Sequence, residues 1–89
     1  MVFRVLLHPN AAKALKKLDD TNRTRMRKAL EELEVDPWKA GKPLPPSDFW
    51  GLRAGDYSAI YEVDADQNQV TVLFIGHRKK VYDDFTKML

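Results

Sequence analysis

Apolar positions along the first third of the chain change period twice. Residues 2–8 alternate, with Phe3, Val5 and Leu7 on one side and Val2, Arg4 and Leu6 on the other, which predicts a strand. From Asn10 the spacing becomes helical. Ala11, Ala14, Leu15 and Leu18 fall at i, i+3, i+4 and i+7, so a short helix is expected over 10–18, with Lys13, Lys16 and Lys17 off the apolar stripe. Pro9 suits a helix start. Asp19-Asp20 breaks the pattern and offers a cap for a second helix over 21–35, where Met26, Ala29, Leu30 and Leu33 repeat the same spacing. Arg27 with Glu31 and Lys28 with Glu32 are i,i+4 pairs of opposite charge, worth about 0.3–0.5 kcal/mol each. Asp36-Pro37 ends this helix, because the residue before proline avoids helical backbone.

Residues 37–48 hold Pro37, Pro43, Pro45, Pro46 and Gly41 and read as a loop. Three strands are expected next, over 48–53, 56–63 and 69–77. Gly55-Asp56 makes the first turn and the polar run 64–68 the second. In the middle strand Tyr57, Ala59, Tyr61 and Val63 oppose Ser58, Ile60 and Glu62. In the last, Val70, Val72 and Phe74 oppose Thr71, Leu73 and Ile75. Residues 80–88 read as a closing helix. The expected fold is α+β in the order β-α-α-β-β-β-α: a small, mostly antiparallel sheet packed against an N-terminal helical hairpin. Residues 1–89 are expected to form a single domain.

Composition narrows the class. With 44% hydrophobic and 31% charged residues the chain is globular in type, not disordered. It has no cysteine, which excludes disulfides and thiolate metal sites and fits a reducing compartment. His8 and His77 are its only histidines and lie far apart, so neither a metal nor another cofactor is expected. A glycine-rich phosphate loop and a serine nucleophile elbow are both missing. The N-terminal apolar stretch is too short for a secretory signal, and no run reaches membrane-spanning length. A cytoplasmic location without a membrane partner is therefore expected. Net charge is only +2 but uneven: residues 1–30 carry eight bases against two acids, 31–66 nine acids against three bases, and 67–89 four bases against two acids. Such polarity suits a partner bearing phosphates or carboxylates.

The candidate chemistry lies at the ends of the last strands. Arg53 sits near the end of one, and Arg78 follows another, trailed by Lys79, Lys80 and Tyr82. A guanidinium grips phosphate through two parallel hydrogen bonds. Cations aimed at a phosphodiester stabilise the charge that builds up during cleavage, and a tyrosine or lysine beside them can move a proton. Residue types alone leave two readings open. Arg53 and Arg78 are solvated strand ends with Tyr82 a core aromatic whose hydroxyl reaches the surface, or the three form a phosphate site.

The order of the pieces adds a resemblance. The opening strand, the helix through Lys17-Leu18, the basic second helix ending at Asp36-Pro37, and Lys42-Pro43-Leu44 all contribute. The most specific parts are Leu52-Arg53-Ala54-Gly55-Asp56-Tyr57, Ile60-Tyr61-Glu62-Val63, and Gly76-His77-Arg78 with Val81-Tyr82. In this order and spacing the chain resembles, over essentially its whole length, the RelE/ParE superfamily of type II toxin–antitoxin toxins, and its RelE branch in particular. The resemblance implies a ribosome-dependent mRNA endoribonuclease that inhibits translation. In that chemistry the ribose 2′-hydroxyl attacks the adjacent phosphate, leaving a 2′,3′-cyclic end without a metal. It also implies a cognate RelB-like antitoxin that covers the active residues, and operator DNA as a partner only through the toxin–antitoxin complex.

By position, the resemblance gives Arg78 the scissile phosphate, Tyr82 base stacking or proton transfer, and Arg53 a second cationic contact. Lys42, Lys79, Lys80 and His77 become RNA-backbone contacts. Two positions depart from the pattern. The family usually reads Gly-Asp-Tyr-Arg, with that arginine a principal catalytic residue, and here it is Ser58. The residue two before Arg53, often basic, is Gly51. The departures keep two other expectations in play: a ParE-like inhibitor of DNA gyrase, which needs no nuclease residues, and a catalytically weakened toxin acting mainly as antitoxin partner and co-repressor.

Overall fold

The computed structural model describes residues 2–88. Strand β1 (Arg4–Leu7) leads into helices α1 (Pro9–Lys17), α2 (Asp20–Val35) and the short α3 (Pro37–Ala40). Strands β2 (Lys42–Pro43), β3 (Trp50–Ala54), β4 (Tyr57–Asp64) and β5 (Gln69–His77) follow, and helix α4 (Val81–Met88) closes the chain. The strands make one sheet in the order β1-β5-β4-β3-β2. β1 pairs parallel with β5, the last strand of the chain, and the other pairs are antiparallel. This is the expected α+β arrangement with two additions, α3 and β2, inside the stretch read as a loop.

Both additions have local causes. The backbone N–H of Asp36 closes α2 by donating to the Glu32 carbonyl at 3.1 Å. Its carboxylate then accepts the backbone N–H groups of Trp38 and Lys39, both at 3.1 Å, and opens α3 with Pro37 in the first turn. One Asp-Pro pair thus stops one helix and starts the next. The two residues after Gly41 then pair with β3, Lys42 opposite Gly51 and Pro43 opposite Trp50.

The helical hairpin buries its predicted stripes on one face of the sheet. Ala11, Leu15, Leu18, Met26, Leu30 and Leu33 pack with Leu52, Ala59, Tyr61, Val70, Val72 and Ile75. The other face carries a smaller cluster in which Ile60, Val81 and Phe85 meet Leu44, Phe49, Leu73 and Phe74. Phe85 of α4 stands edge-on to Phe49 at 5.2 Å.

Two expectations are corrected. Strict alternation put Phe74 with Val70 and Val72. A register shift opposite Ile60/Tyr61, with Phe74 paired to Ile60 and Val72 to Tyr61, leaves Leu73 as the extra residue on β5. Beyond such a bulge the faces exchange, so Ile75 enters the helical core and Phe74 joins the α4 side. The second correction concerns surface charge. Among the described residues the ion pairs are Arg23–Asp20 and Arg78–Asp56; the Arg27–Glu31 and Lys28–Glu32 pairs do not close. Holding two long exposed side chains together costs as much rotamer entropy as the screened attraction returns.

Asp19 caps α2, accepting from the Asn22 side-chain amide at 2.6 Å and from its backbone N–H. The side-chain bond from Asn22 is the main reason its carboxyl titrates below the usual 3.8. A depressed carboxyl stabilises the fold above its ordinary value, and the stabilisation is lost as pH falls through the folded value. Asp19→Asn keeps a good cap but removes the titration. Tm near neutrality should barely change, and the fall in Tm below pH 3.8 should be shallower than in the wild type. An unchanged acid limb in a Tm-against-pH series would contradict this role.

Candidate functional site

The turn Gly55-Asp56 fixes the register of the β3–β4 hairpin and so places the charged strand ends. Arg53 pairs with Ser58, and Ser58 in turn pairs with Gly76 across β5. One row of residues therefore crosses three strands at the same end of the sheet, with Arg53 at one rim. Arg78, just past β5, is drawn to this end by its backbone N–H, which donates to the Asp56 carbonyl at 2.8 Å.

Above this row lies an open groove of about 540 Å³. Arg53, Arg78, Lys79 and Tyr82 line it from the strand ends and the start of α4, and Ala40, Gly41, Lys42, Pro43 and Leu44 form the facing wall. Gly51 and Ser58 complete its lining. Four cations thus face one space, and none of the lining residues is acidic. The nearest carboxylate to the arginines is Asp56, 3.8 Å from Nε of Arg78. Arg53 donates through Nε to the Gly55 carbonyl at 3.1 Å, a bond that orients the guanidinium and leaves its other nitrogens unengaged among the described residues. Ser58 is buried, 3% exposed.

Tyr82 is 44% exposed, which removes the reading of it as a core aromatic. It stands between the cationic groove and a second, apolar pocket of about 460 Å³ formed by Leu44, Pro45, Pro46, Phe49, Ile60 and Phe85. Its hydroxyl approaches the groove because Gly51 has no side chain: a Cβ there would lie 2.9 Å from the Tyr82 oxygen. The position where a basic residue was expected therefore supplies room for a phenol.

Five of the seven proposed contact residues, Arg53, Arg78, Tyr82, Lys42 and Lys79, come together in this groove. His77 and Lys80 do not line it. The His77 ring stacks edge-on to Tyr57 at 5.6 Å, and its Nδ1 accepts the Lys79 backbone N–H at 3.2 Å, so it shapes the turn that carries Lys79. Lys80 is exposed and its backbone N–H donates to the His77 carbonyl at 2.9 Å. Sequence reasoning missed Asp56 as the neighbour of Arg78, although the hairpin register implies it: Tyr57 pairs with His77, so the residues one step outward, Asp56 and Arg78, must meet. Among the described residues no three His, Asp or Glu side chains gather in one place.

The arrangement can hold an anion that presents several oxygens, with paired guanidinium forks, two ammonium groups and two hydroxyls around it. A phosphodiester is the natural match. No helix among the described residues is long and apolar enough to cross a membrane.

Comparison with known proteins adds a family. The family model for the ParE toxin of the type II toxin–antitoxin system, parDE, matches residues 5–82. Among solved structures, the chain is similar to a RelBE toxin–antitoxin complex from Mycobacterium tuberculosis, with 25% identity and a TM-score of 0.80 over 88% of this chain and 100% of that one. It is also similar to the intact E. coli RelBE complex, with 27% identity and a TM-score of 0.72 over 84% and 95% of the two chains. A mutant E. coli RelE toxin in the free state matches with 26% identity and a TM-score of 0.79 over 100% and 99%. No curated protein sequence matches significantly.

Proposed function

The chain belongs to the ParE toxin family of type II toxin–antitoxin systems, within the RelE/ParE superfamily, and we propose that it acts as a metal-independent mRNA endoribonuclease on the ribosome. The observation that carries this reading is the groove: four cations and no acid line a space floored by Ser58 and edged by an exposed tyrosine. Such a groove suits an RNA backbone, whose phosphates dominate affinity.

The chemistry needs little beyond charge and positioning. The 2′-oxygen forms a bond to phosphorus as its proton leaves, the bond from phosphorus to the 5′-oxygen breaks, and that oxygen takes up a proton. A 2′,3′-cyclic phosphate and a 5′-hydroxyl result. Arg53 and Arg78 hold the non-bridging oxygens, whose charge grows in the transition state. Lys42 and Lys79 hold the flanking phosphates. The Tyr82 hydroxyl, which lines the groove, passes a proton to or from the reacting oxygens.

A cognate antitoxin is the expected partner. Relatives of the same fold from M. tuberculosis and E. coli were solved as RelBE toxin–antitoxin complexes, and a small, cationic, open groove is readily masked by an acidic segment. Ribosome and mRNA are the proposed targets, with a cytoplasmic site of action. Operator DNA enters only through the toxin–antitoxin complex.

Mapping mRNA ends after adding the purified chain to a translation extract tests the reading. New ends within translated codons are expected, together with a fall in protein synthesis. Intact mRNA and undiminished synthesis would contradict it. The family match to ParE and the uncharged Gly51 and Ser58 favour one second reading, inhibition of DNA gyrase. A supercoiling assay separates the two: gyrase inhibition with intact mRNA supports the second.

A further inference from the structure

The wall of the groove opposite the arginines hangs on a single buried hydroxyl. Tyr61 of β4 is 0% exposed, on the helical face of the sheet. Its hydroxyl donates to the Pro37 carbonyl at 2.5 Å, a bond between residues 24 apart in the chain. Gly41 packs against the same oxygen. Pro37 begins α3 and Gly41 ends it, so one hydroxyl is bonded to the start of a four-residue helical turn and packed against its end. Gly41 fits only because it lacks a side chain: a Cβ there would collide with the Tyr61 hydroxyl oxygen and the Gly51 carbonyl. The next residue is Lys42, the wall's cation, on an edge strand only two residues long. A strand of that length cannot hold its own register.

We propose that Tyr61 is a positioning residue of the RNA-binding groove, acting through Pro37 and Gly41 to fix Lys42 opposite Arg53 and Arg78. This rests on the reading of the groove as an RNA-backbone site. Tyr61 itself moves no proton. Burial pushes its pKa up to about 12, against the Gly41 N–H, which lowers it, and with the Asp36 carboxylate adding to the rise. The phenol therefore remains a donor at every pH at which the groove works.

The test uses the intact chain and a short single-stranded RNA made resistant by 2′-deoxy substitution, with affinity read against salt. Wild type and Arg78→Ala define the groove. Lys42→Met should weaken binding about threefold to tenfold and flatten the log–log salt slope by about 0.7, one phosphate contact on a single strand. Tyr61→Phe should match it in both respects, and the double variant should be no weaker than either single one, because both remove the same contact. Gly41→Ala, which displaces the wall while keeping the phenol, should reproduce the effect and serves where Tyr61→Phe fails to fold. Wild-type affinity and slope in a folded Tyr61→Phe or Gly41→Ala protein overturn the proposal. Additive losses in the double variant overturn it as well. If Arg78→Ala weakens binding and Lys42→Met does not, the groove reading stands and this proposal falls. Salt-independent binding that Arg78→Ala leaves untouched sinks the groove reading itself.

Discussion

Replacing Arg78 by alanine should lower the rate of mRNA cleavage about 10²–10³-fold, the usual cost of removing a donor aimed at developing transition-state charge. The protein should fold as before. The Arg78 side chain is 39% exposed, and its 3.8 Å contact with Asp56 is a surface pair, worth about 0–1 kcal/mol to stability. The backbone bond from residue 78 to Asp56 that positions the turn survives any substitution except proline. Loss of activity at unchanged Tm is therefore the signature expected of a contact to the reacting phosphate. Arg78→Lys refines the test. It keeps the charge but loses the planar fork, and at a bidentate site that is not a conservative change. A lysine variant close to wild type would mean that Arg78 acts only as a general positive field.

The opposite effect is expected at Ser58. Its side chain faces the groove floor directly opposite Arg53, and its hydroxyl offers a phosphate one neutral hydrogen bond. Ser58→Arg extends a guanidinium from the same floor into the groove of about 540 Å³ that Ser58 lines. A hydrogen bond to a charged group contributes about 1.5–3 kcal/mol where it is made in the transition state. Cleavage should rise about tenfold to a hundredfold. Mapping mRNA ends at matched protein levels would show it. Equal cleavage by wild type and Ser58→Arg would mean that Arg53 and Arg78 already saturate the phosphate oxygens. Activity appearing only in Ser58→Arg would identify the natural chain as a toxin that works chiefly through its antitoxin and operon.

Much of this architecture is legible in the amino-acid sequence. The i, i+3, i+4, i+7 stripes mark both long helices because each has one partner layer to satisfy, the sheet. The turn at Gly55-Asp56 sets the pairing of Arg53 with Ser58, since a two-residue loop leaves no freedom in register. Of the seven residues the motif order singles out, five, Lys42, Arg53, Arg78, Lys79 and Tyr82, line one groove.

What stays hidden involves contacts without a local signature. The bulge at Leu73 exchanges Phe74 and Ile75 between the two faces, and nothing in the alternation of Val70 to Ile75 announces the extra residue. Period two marks Tyr61 as buried but says nothing of a carbonyl 24 residues earlier. The proline-rich stretch 37–48 conceals α3, although Asp36 before Pro37 is a helix-opening pair as well as a helix stop. Past β5 the chain turns through residues 78–80, so neighbours in sequence diverge. Arg78 and Lys79 face the groove, and His77 and Lys80 do not.

In the proposed reaction this groove grips an RNA phosphodiester and the neighbouring 2′-hydroxyl attacks it. The most direct measurement is the chemistry of the ends formed when the chain meets ribosomes programmed with a defined mRNA, read by mass spectrometry. Cleavage ends carrying a 2′,3′-cyclic phosphate and a 5′-hydroxyl are predicted, with both lost on Arg78→Ala or on removal of the single 2′-hydroxyl before the cut. Uncut mRNA, or ends that persist without that 2′-hydroxyl, would contradict the account.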